Sequence, residues 1–414
     1  MVEPATPDLI GSSRAPGMLA GVRVIEISSF VAVPLAGMTL AQLGAEVVRV
    51  DPIGGAADYH RWPVTEGGES IYWAGLNKSK RSVAADMRSA EGQRLVQQLI
   101  IEAGVLITNV TGRQWHSYNE LVAARPDLIH VEVSGQTDGG TAVDYTVNAG
   151  VGFPLVTGPA QLAEPVNHVL PAWDISCGLY VALAVSVALR HRDATGEGAR
   201  ISIPLENVAL ATAGNLGFLT EVMINGTERA RLGNSLYGTY GQNFTSSDGV
   251  AFMLVALTGR HFRDLTEVTG TTKAVAALAE ALGADFSDEG QRYTHRNALT
   301  GLFTLWFSQR TAEEIAAALS STSVLWERYR SFAEVATDPR VTANPLFTPL
   351  DQPRVGQYLA PGLPMAIDGA YSPAAPAPAV GDDTAAVLAE HLGLDAGEIA
   401  ALAESGTVAT GSIK

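Results

Sequence analysis

The chain has 414 residues, 47% of them apolar and 17% charged, with 27 Lys and Arg against 43 Asp and Glu. This predicts a folded protein of two or three domains with a large core and excludes a disordered chain. The net charge of −16 excludes broad binding to nucleic acid or an anionic membrane, which needs a basic face.

Residues 1–18 carry Pro4, Pro7, Asp8 and Pro16 without an apolar run of leader length, and read as a loose N-terminal extension. Val22–Ile27 (VRVIEI) predicts a strand. A helix follows over Pro34–Leu43, opened by proline and closed by Gly44. Val47–Val50 makes a second strand, stopped by Asp51 and Pro52. Ser89 caps a helix whose Leu95, Leu99 and Ile100 recur at helical spacing up to Gly104. Val105–Thr108 and Leu128–Val133 predict strands, with a helical stretch at Trp115–Ala124 between them. Strands alternating with helices imply a parallel α/β sheet covered on both faces. A long helix is expected from Asp174 to His191, then a strand at Ala199–Pro204 and a helix at Glu206–Val222. The character changes after Asn225. Asn234–Ser247 is rich in Gly, Tyr, Asn and Ser, Val250–Leu257 reads as a strand, and 258–335 is mainly helical by pattern. The predicted division is therefore a large α/β domain over 19–222, a small domain over 225–335, and a linker and tail over 345–414. The Pro-rich stretch 345–382 is expected to be extended. Two short helices, Thr384–Leu392 and Ala396–Ala403, end the chain.

The longest uncharged apolar run, Ile175–Leu189, has 15 residues and falls short of the roughly 20 needed to span a bilayer. The single cysteine, Cys177, rules out an intramolecular disulfide framework and fits a reducing, cytoplasmic setting. Metal motifs are absent from the sequence, as are a G-x-S-x-G elbow and a Walker A loop; the eight His are scattered. Behind the first strand the chain reads SSFVAVPLAG, without the G-x-G-x-x-G of a dinucleotide site.

Two constellations remain. The first is Asn77-Lys78-Ser79-Lys80-Arg81-Ser82, with Arg61 upstream and Arg113 downstream. It reads equally as a phosphate patch, with Lys as point charge and Arg as bidentate fork, or as a solvated turn. The second is Pro171-Ala172-Trp173-Asp174, directly before an apolar helix. Asp174 there is either a helix cap or a nucleophilic carboxylate, kept ionised by the exposed N–H groups and the helix dipole.

At these residues the sequence resembles the class III CoA-transferases, the family of formyl-CoA transferase, carnitine CoA-transferase and α-methylacyl-CoA racemase. The likeness runs through LAGVRVIEISSFVAVPLAGMTLAQLGAEVVRVD at 19–51, LNKSKRSVAADMRSAEG at 76–92, the Asp174 helix, GEGARISIPLEN at 196–207 and the tail VGDDTAAVLAEHLGLDAGEIAALAESG. The resemblance implies a Rossmann-like parallel-sheet large domain built from both chain ends, a smaller α+β domain from the middle, and an interlocked homodimer. It places the nucleophile on Asp174, the CoA contacts on Lys80, Arg81, Asn109 and Arg113, and oxyanion stabilisation on the Val31–Ala36 segment, with Val31 and Ala32 beside CoA. Arg113 stands closer to Asn109 than the family's arginine, whose usual place is held by Ser117.

Three stretches, DPIGGAADYHRWPVTEGG at 51–68, YWAGLNKSKRS at 72–82 and TAVDYTVNAGVGFPLVTG at 141–158, are similar to the branch that moves CoA between the C1 and C4 carboxyls of mesaconyl-CoA. That implies an acyl-CoA substrate, with CoA as part of it, and no metal or further cofactor. The racemase branch carries a catalytic His that, counted back from Tyr145, falls on Thr141 or Ala142, which points away from racemisation. The intermolecular transferases carry four glycines at the start of the small domain. Here Tyr237-Gly238-Thr239-Tyr240-Gly241-Gln242 stands instead; its aromatics either tighten the acyl pocket or pack against the other domain.

Overall fold

Runs of β-branched residues with no polar face need cover on both sides. In the computed structural model, which describes residues 17–411, they form the middle of a parallel sheet. Its strands are β1 (Arg23–Ile27), β2 (Glu46–Asp51), β3 (Arg81–Ala85), β4 (Val105–Thr108), β5 (Ile129–Ser134) and β6 (Ala199–Pro204), in the order β3-β2-β1-β4-β5-β6. Ile25 of β1 lies opposite Val48 on one side and Leu106 on the other. Strand order reverses between β1 and β4, so a crevice opens beyond their carboxyl ends, where ligands bind in sheets of this kind. Residues 1–16, most of the expected N-terminal extension, lie outside the described residues.

Local signals set several elements. Ser89 accepts the Gly92 N–H at the start of the Ala90–Ala103 helix, and Gly104 closes it at φ +70°. The Ala172–Thr195 helix has 24 residues, longer than predicted, and by length and composition is long enough to cross a membrane. It is a packed layer of the first unit: Cys177, Val181 and Val185 are fully buried, and it lies along the Ala32–Gln42 helix. A Cβ at Gly178 would stand 2.5 Å from the Ala32 carbonyl oxygen, so only glycine allows this approach.

The described chain divides into two units. The first collects the chain up to Val147, Leu170–Asn215 and the chain from Val341. The second comprises Asn148–Val169 and Leu216–Arg340. This differs from the sequence division, because the Glu206–Val222 helix is two: Leu205–Asn215 and Phe218–Asn225, parted at Gly217 with φ +82°. The second unit has an antiparallel sheet, β7 (Tyr240–Thr245), β8 (Ala251–Ala256) and β9 (Leu325–Arg328), whose Phe252 packs with Leu299, Phe303 and Phe307 from its helices.

The stretch 345–382 is not simply extended. It opens with a hairpin of β10 (Phe347–Gln352) and β11 (Gly356–Pro361). The proline-rich coil then runs over the first unit, where the Trp73 indole donates to the Pro378 carbonyl at 2.8 Å. After the helices Thr384–Leu392 and Ala396–Glu404, β12 (Val408–Ala409) adds antiparallel to the free edge of β3.

Candidate active site

Asp174 is the third residue of its helix, and the helix opens at Pro171 without a side-chain cap of its own. The cap comes from elsewhere in the first unit. The buried Asp144 carboxylate accepts the N–H groups of Trp173 (2.8 Å) and Asp174 (3.1 Å) through one oxygen. Asp174 is therefore not the cap, and two of the N–H groups expected to steady its anion serve Asp144. The expectation of a permanently ionised carboxylate is corrected accordingly. Burial, reinforced by the neighbouring Asp144 charge and only partly offset by Arg61, pushes the Asp174 carboxyl up to about 7. One turn on, burial and Asp174 together push the fully buried Cys177 thiol up to about 12, so it stays protonated and inert.

The second part of the site is the turn from β1 into the Ala32–Gln42 helix. Three consecutive residues are gripped by side chains. The Arg49 guanidinium donates to the Ser28 carbonyl (3.1 Å), the Asn109 amide bonds both the N–H and the carbonyl of Ser29 (3.0 and 2.8 Å), and Asp58 accepts the Phe30 N–H (3.1 Å). Phe30 adopts φ +67°, a left-handed conformation that a bulky residue keeps only where its surroundings impose it. The helix behind it starts without a side-chain cap, with Val31 and Ala32 at its head. Among the described residues no side chain is seen to accept its first N–H groups, which can therefore serve an oxyanion next to the Asp174 helix, which it meets at Gly178.

A buried ionic network fixes this turn. Arg49, 1% exposed, pairs with Asp51 and Asp58 at 3.0 Å and lies 4.2 Å over the Trp73 ring. Lys80, also buried, donates to Glu26 (2.9 Å) and Asn77 (2.8 Å). Burial lowers the Lys80 ammonium to about 8, with Glu26 opposing that fall. Gly37 is required here, since a Cβ would fall 1.7 Å from the Glu26 carboxylate.

The cations that the sequence offers as phosphate ligands are engaged within the chain. Lys80 is consumed by Glu26 and Asn77, and Arg81 pairs with Glu46 and Glu390 at 2.6 Å each. Lys78 donates to the Gly75 carbonyl at 2.7 Å. The cluster holds the chain together at the start of β3, and none of the three cations lines the cavity at the sheet's carboxyl edge. That cavity, of about 920 Å³, is bounded by Ser28, Ser29, Ile53 and Trp115, with Arg88 and Arg113 as its cations. Arg113 lines this cavity, whereas Asn109 braces the crevice wall through Ser29. Arg88 was missed; only its place two residues before the Ala90–Ala103 helix, at the β3 end, marks it. Asp144 and Asp58 were missed too, since nothing local announces an acceptor reaching across 28 to 30 residues.

The CoA-transferase family III model matches residues 19–384. The chain belongs to this family. Over 401 residues it is 48% identical to a 2-methylfumaryl-CoA isomerase of Chloroflexus aurantiacus, covering 95% of this chain and 98% of that one. A succinyl-CoA–D-citramalate CoA-transferase of the same organism is 27% identical over 411 residues, covering 95% and 98%. Among solved structures, a CAIB/BAIF family protein from Brucella suis superposes with TM-score 0.76 at 26% identity, covering 91% of this chain and all of that one.

In this family III chain the Tyr237–Gln242 segment meets neither sequence reading at Tyr240. That residue is fully buried in the core of its own unit, with its hydroxyl 3.0 Å from Thr300 and its ring 5.5 Å from Phe303. Tyr237 is partly exposed and pinned: its hydroxyl donates to Glu221, and the Arg229 guanidinium lies 4.2 Å over its ring.

Proposed function

We propose that this chain is a mesaconyl-CoA C1–C4 CoA-transferase, a 2-methylfumaryl-CoA isomerase that passes CoA from one carboxyl of the acid to the other within one molecule. The observation that carries this reading is the 48% identity along 95% of the chain to an enzyme of that name. Mesaconate is a trans-alkene diacid, so its carboxyls point apart and cannot close on each other; an enzyme carboxylate divides the transfer into feasible steps.

Asp174 attacks the C1 thioester carbonyl and expels CoA thiolate, leaving a mixed anhydride. The thiolate attacks the aspartyl carbonyl and expels mesaconate, leaving an aspartyl-CoA thioester. The C4 carboxylate attacks that thioester and expels the thiolate again. Attack of the thiolate on the C4 acyl carbon then frees Asp174. No electrons change hands, and the chemistry asks for no metal or further cofactor beyond the CoA of the substrate. The N–H groups at the head of the Ala32–Gln42 helix take the oxyanions. Arg88 and Arg113 bind the CoA phosphates, a role supported by their position on the lining of the cavity at the sheet's carboxyl edge. Both intermediates hydrolyse, so the site must shed water during turnover.

The protein works as a homodimer, interlocked as in its family, in the cytoplasm. The exposed apolar face of the Ala172–Thr195 helix supports the first point, and the buried free thiol of Cys177 supports the second.

The test mixes protein with mesaconyl-C1-CoA and excess isotope-labelled mesaconate. Unlabelled C4 isomer is the expected product. Label in the product would instead assign an intermolecular transferase, which the 27% identical citramalate enzyme makes the second reading. Asp174→Ala is expected to lose at least about 10³-fold in kcat, the scale of removing a covalent nucleophile; wild-type rates in that variant would remove Asp174 from the mechanism.

A further inference from the structure

A dicarboxylic acyl group keeps one free carboxylate throughout the reaction, and that charge must enter a site that already holds Asp174 and Asp144. Within the first unit the cations of segment 49–81 are nearly all committed. Arg49 is saturated by Asp51 and Asp58, Lys78 donates to a carbonyl, Lys80 to Glu26, and Arg81 to Glu46 and Glu390. Arg61 differs. It is exposed, and among the described residues it makes no ion pair. Its guanidinium lies 5.3 Å from the centroids of both the Phe30 and Tyr72 rings, and it shares a hydrogen bond with the Tyr72 side chain, which leaves most of its five N–H donors uncommitted. Phe30 is the strained residue at the head of the Ala32–Gln42 helix, and Ser70 donates to the Arg61 carbonyl at 2.6 Å, so backbone and rings both fix its place. The charge of Arg61 bears directly on Asp174, while Arg88 and Arg113 face a cavity that neither Arg61 nor Asp174 lines.

We propose that Arg61 is the specificity determinant that binds the substrate carboxylate not bonded to CoA, first the C4 carboxylate and, after transfer, the C1 carboxylate. This rests on the isomerase reading for the identity of the acid and extends it to the group that selects dicarboxylic over monocarboxylic acyl chains. A planar guanidinium whose remaining N–H donors carry no carboxylate suits either end of the same acid, because both ends present the same functional group. An acid that turns round between half-reactions then meets the same anchor twice.

The experiment follows aspartyl-CoA formation on intact protein by mass, in single turnover, from mesaconyl-C1-CoA and from its C4 methyl ester. Measuring near pH 9, about two units above the wild-type Asp174 carboxyl, favours the ionised nucleophile, and any rise of that carboxyl on losing the Arg61 charge slows the acid and the ester alike. The acid-to-ester rate ratio is the readout, because a partial folding loss cancels within one variant. Wild-type protein should favour the acid by roughly 10- to 100-fold, the scale of a charge-assisted hydrogen bond. Arg61→Gln should bring the ratio to about one, and Arg61→Lys should restore part of the preference. A wild-type ratio retained by Arg61→Gln, or no acid preference in the wild type, would overturn the assignment. Wild-type protein that forms aspartyl-CoA but no C4 isomer would instead overturn the isomerase reading, with the ratio still reporting on Arg61.

Discussion

At the scale of single residues, the surroundings of Asp174 work against the ionised form that the proposed attack needs. An aspartate near 7 is a stronger base and a better attacking group than one near its ordinary value, at the cost of being half protonated at neutral pH. The groups bearing on it are Asp144, which raises it, and Arg61, which lowers it; Tyr72 and Cys177 face it with protons held well above neutrality. The expected kcat/KM for mesaconyl-CoA therefore rises with pH through about 7, read from a pH–rate profile. Asp144→Asn removes the charge that raises Asp174 and should move that midpoint downward, while its amide oxygen still accepts the helix N–H groups. Asp144→Ala removes charge and cap together and should also lower the melting temperature, a cap being worth about 1 kcal/mol; equal profiles in both variants would reduce Asp144 to structure alone. Stability carries the opposite sign. The folded value of Asp174 lies above the ordinary 3.8, so its favourable contribution is complete below about pH 4 and fades as pH climbs through about 7. Asp174→Asn escapes that loss. Its melting point should exceed the wild type's at pH 8 by the equivalent of roughly 1–4 kcal/mol, with the gap closing near pH 4.

Between residues and the whole fold, the elements are joined by charges placed deep inside. Glu26 on β1 and Lys80 before β3 are 54 residues apart in sequence, and their pair, 0% exposed at both side chains, is closed in by Gly37 of the Ala32–Gln42 helix. A phosphate-binding Lys80 and a network Lys80 predict different outcomes on substitution. Lys80→Met strips Glu26 of its hydrogen-bonded counter-charge and leaves only Arg49, 3.8 Å away and shared with two aspartates, so the expected result is a loss of up to about 3–5 kcal/mol in urea unfolding, whereas loss of a phosphate contact would raise KM at unchanged stability. The same cluster shows what the sequence reveals. The strands β1 and β4 and the capped Ala90–Ala103 helix are legible because apolar runs, Ser89 and Gly104 act within a few residues. Asn77–Ser82 stays ambiguous because its partners are remote: Ser79 meets the Ala375 backbone and Ser82 meets Gly381 and Asp383, about 300 residues on. β12 has two residues and exists only because β3 offers it an edge. The place of Asp174 at the start of a long helix was legible, but its ionisation was not, since Asp144 reaches it only through the fold.

For the whole molecule, the fold at TM-score 0.76 is shared with a protein only 26% identical, so the architecture alone does not select a substrate. What it does leave is a surface. The Ala172–Thr195 helix is apolar on more than one side, and such a helix needs more than one covering layer. The Ala32–Gln42 helix covers one face, with Gly178 at the closest approach, and β5 and β6 also lie against it. Leu179, Tyr180, Leu183 and Val187, at spacings of one, four and eight residues, form another face, and each is more than half exposed in the single chain. Four large apolar side chains on one stripe exceed what a monomer leaves in water without use, and a second copy of the same helix is the self-complementary partner a two-fold dimer supplies. Light scattering should then give about twice the 43.4 kDa of one chain. Leu183→Asp places a charge on that face and nowhere in the core, so it should yield folded monomer with an unchanged far-ultraviolet spectrum. A monomeric wild type, or a dimer indifferent to Leu183→Asp, would leave that stripe without its partner and move the dimer contact to another face.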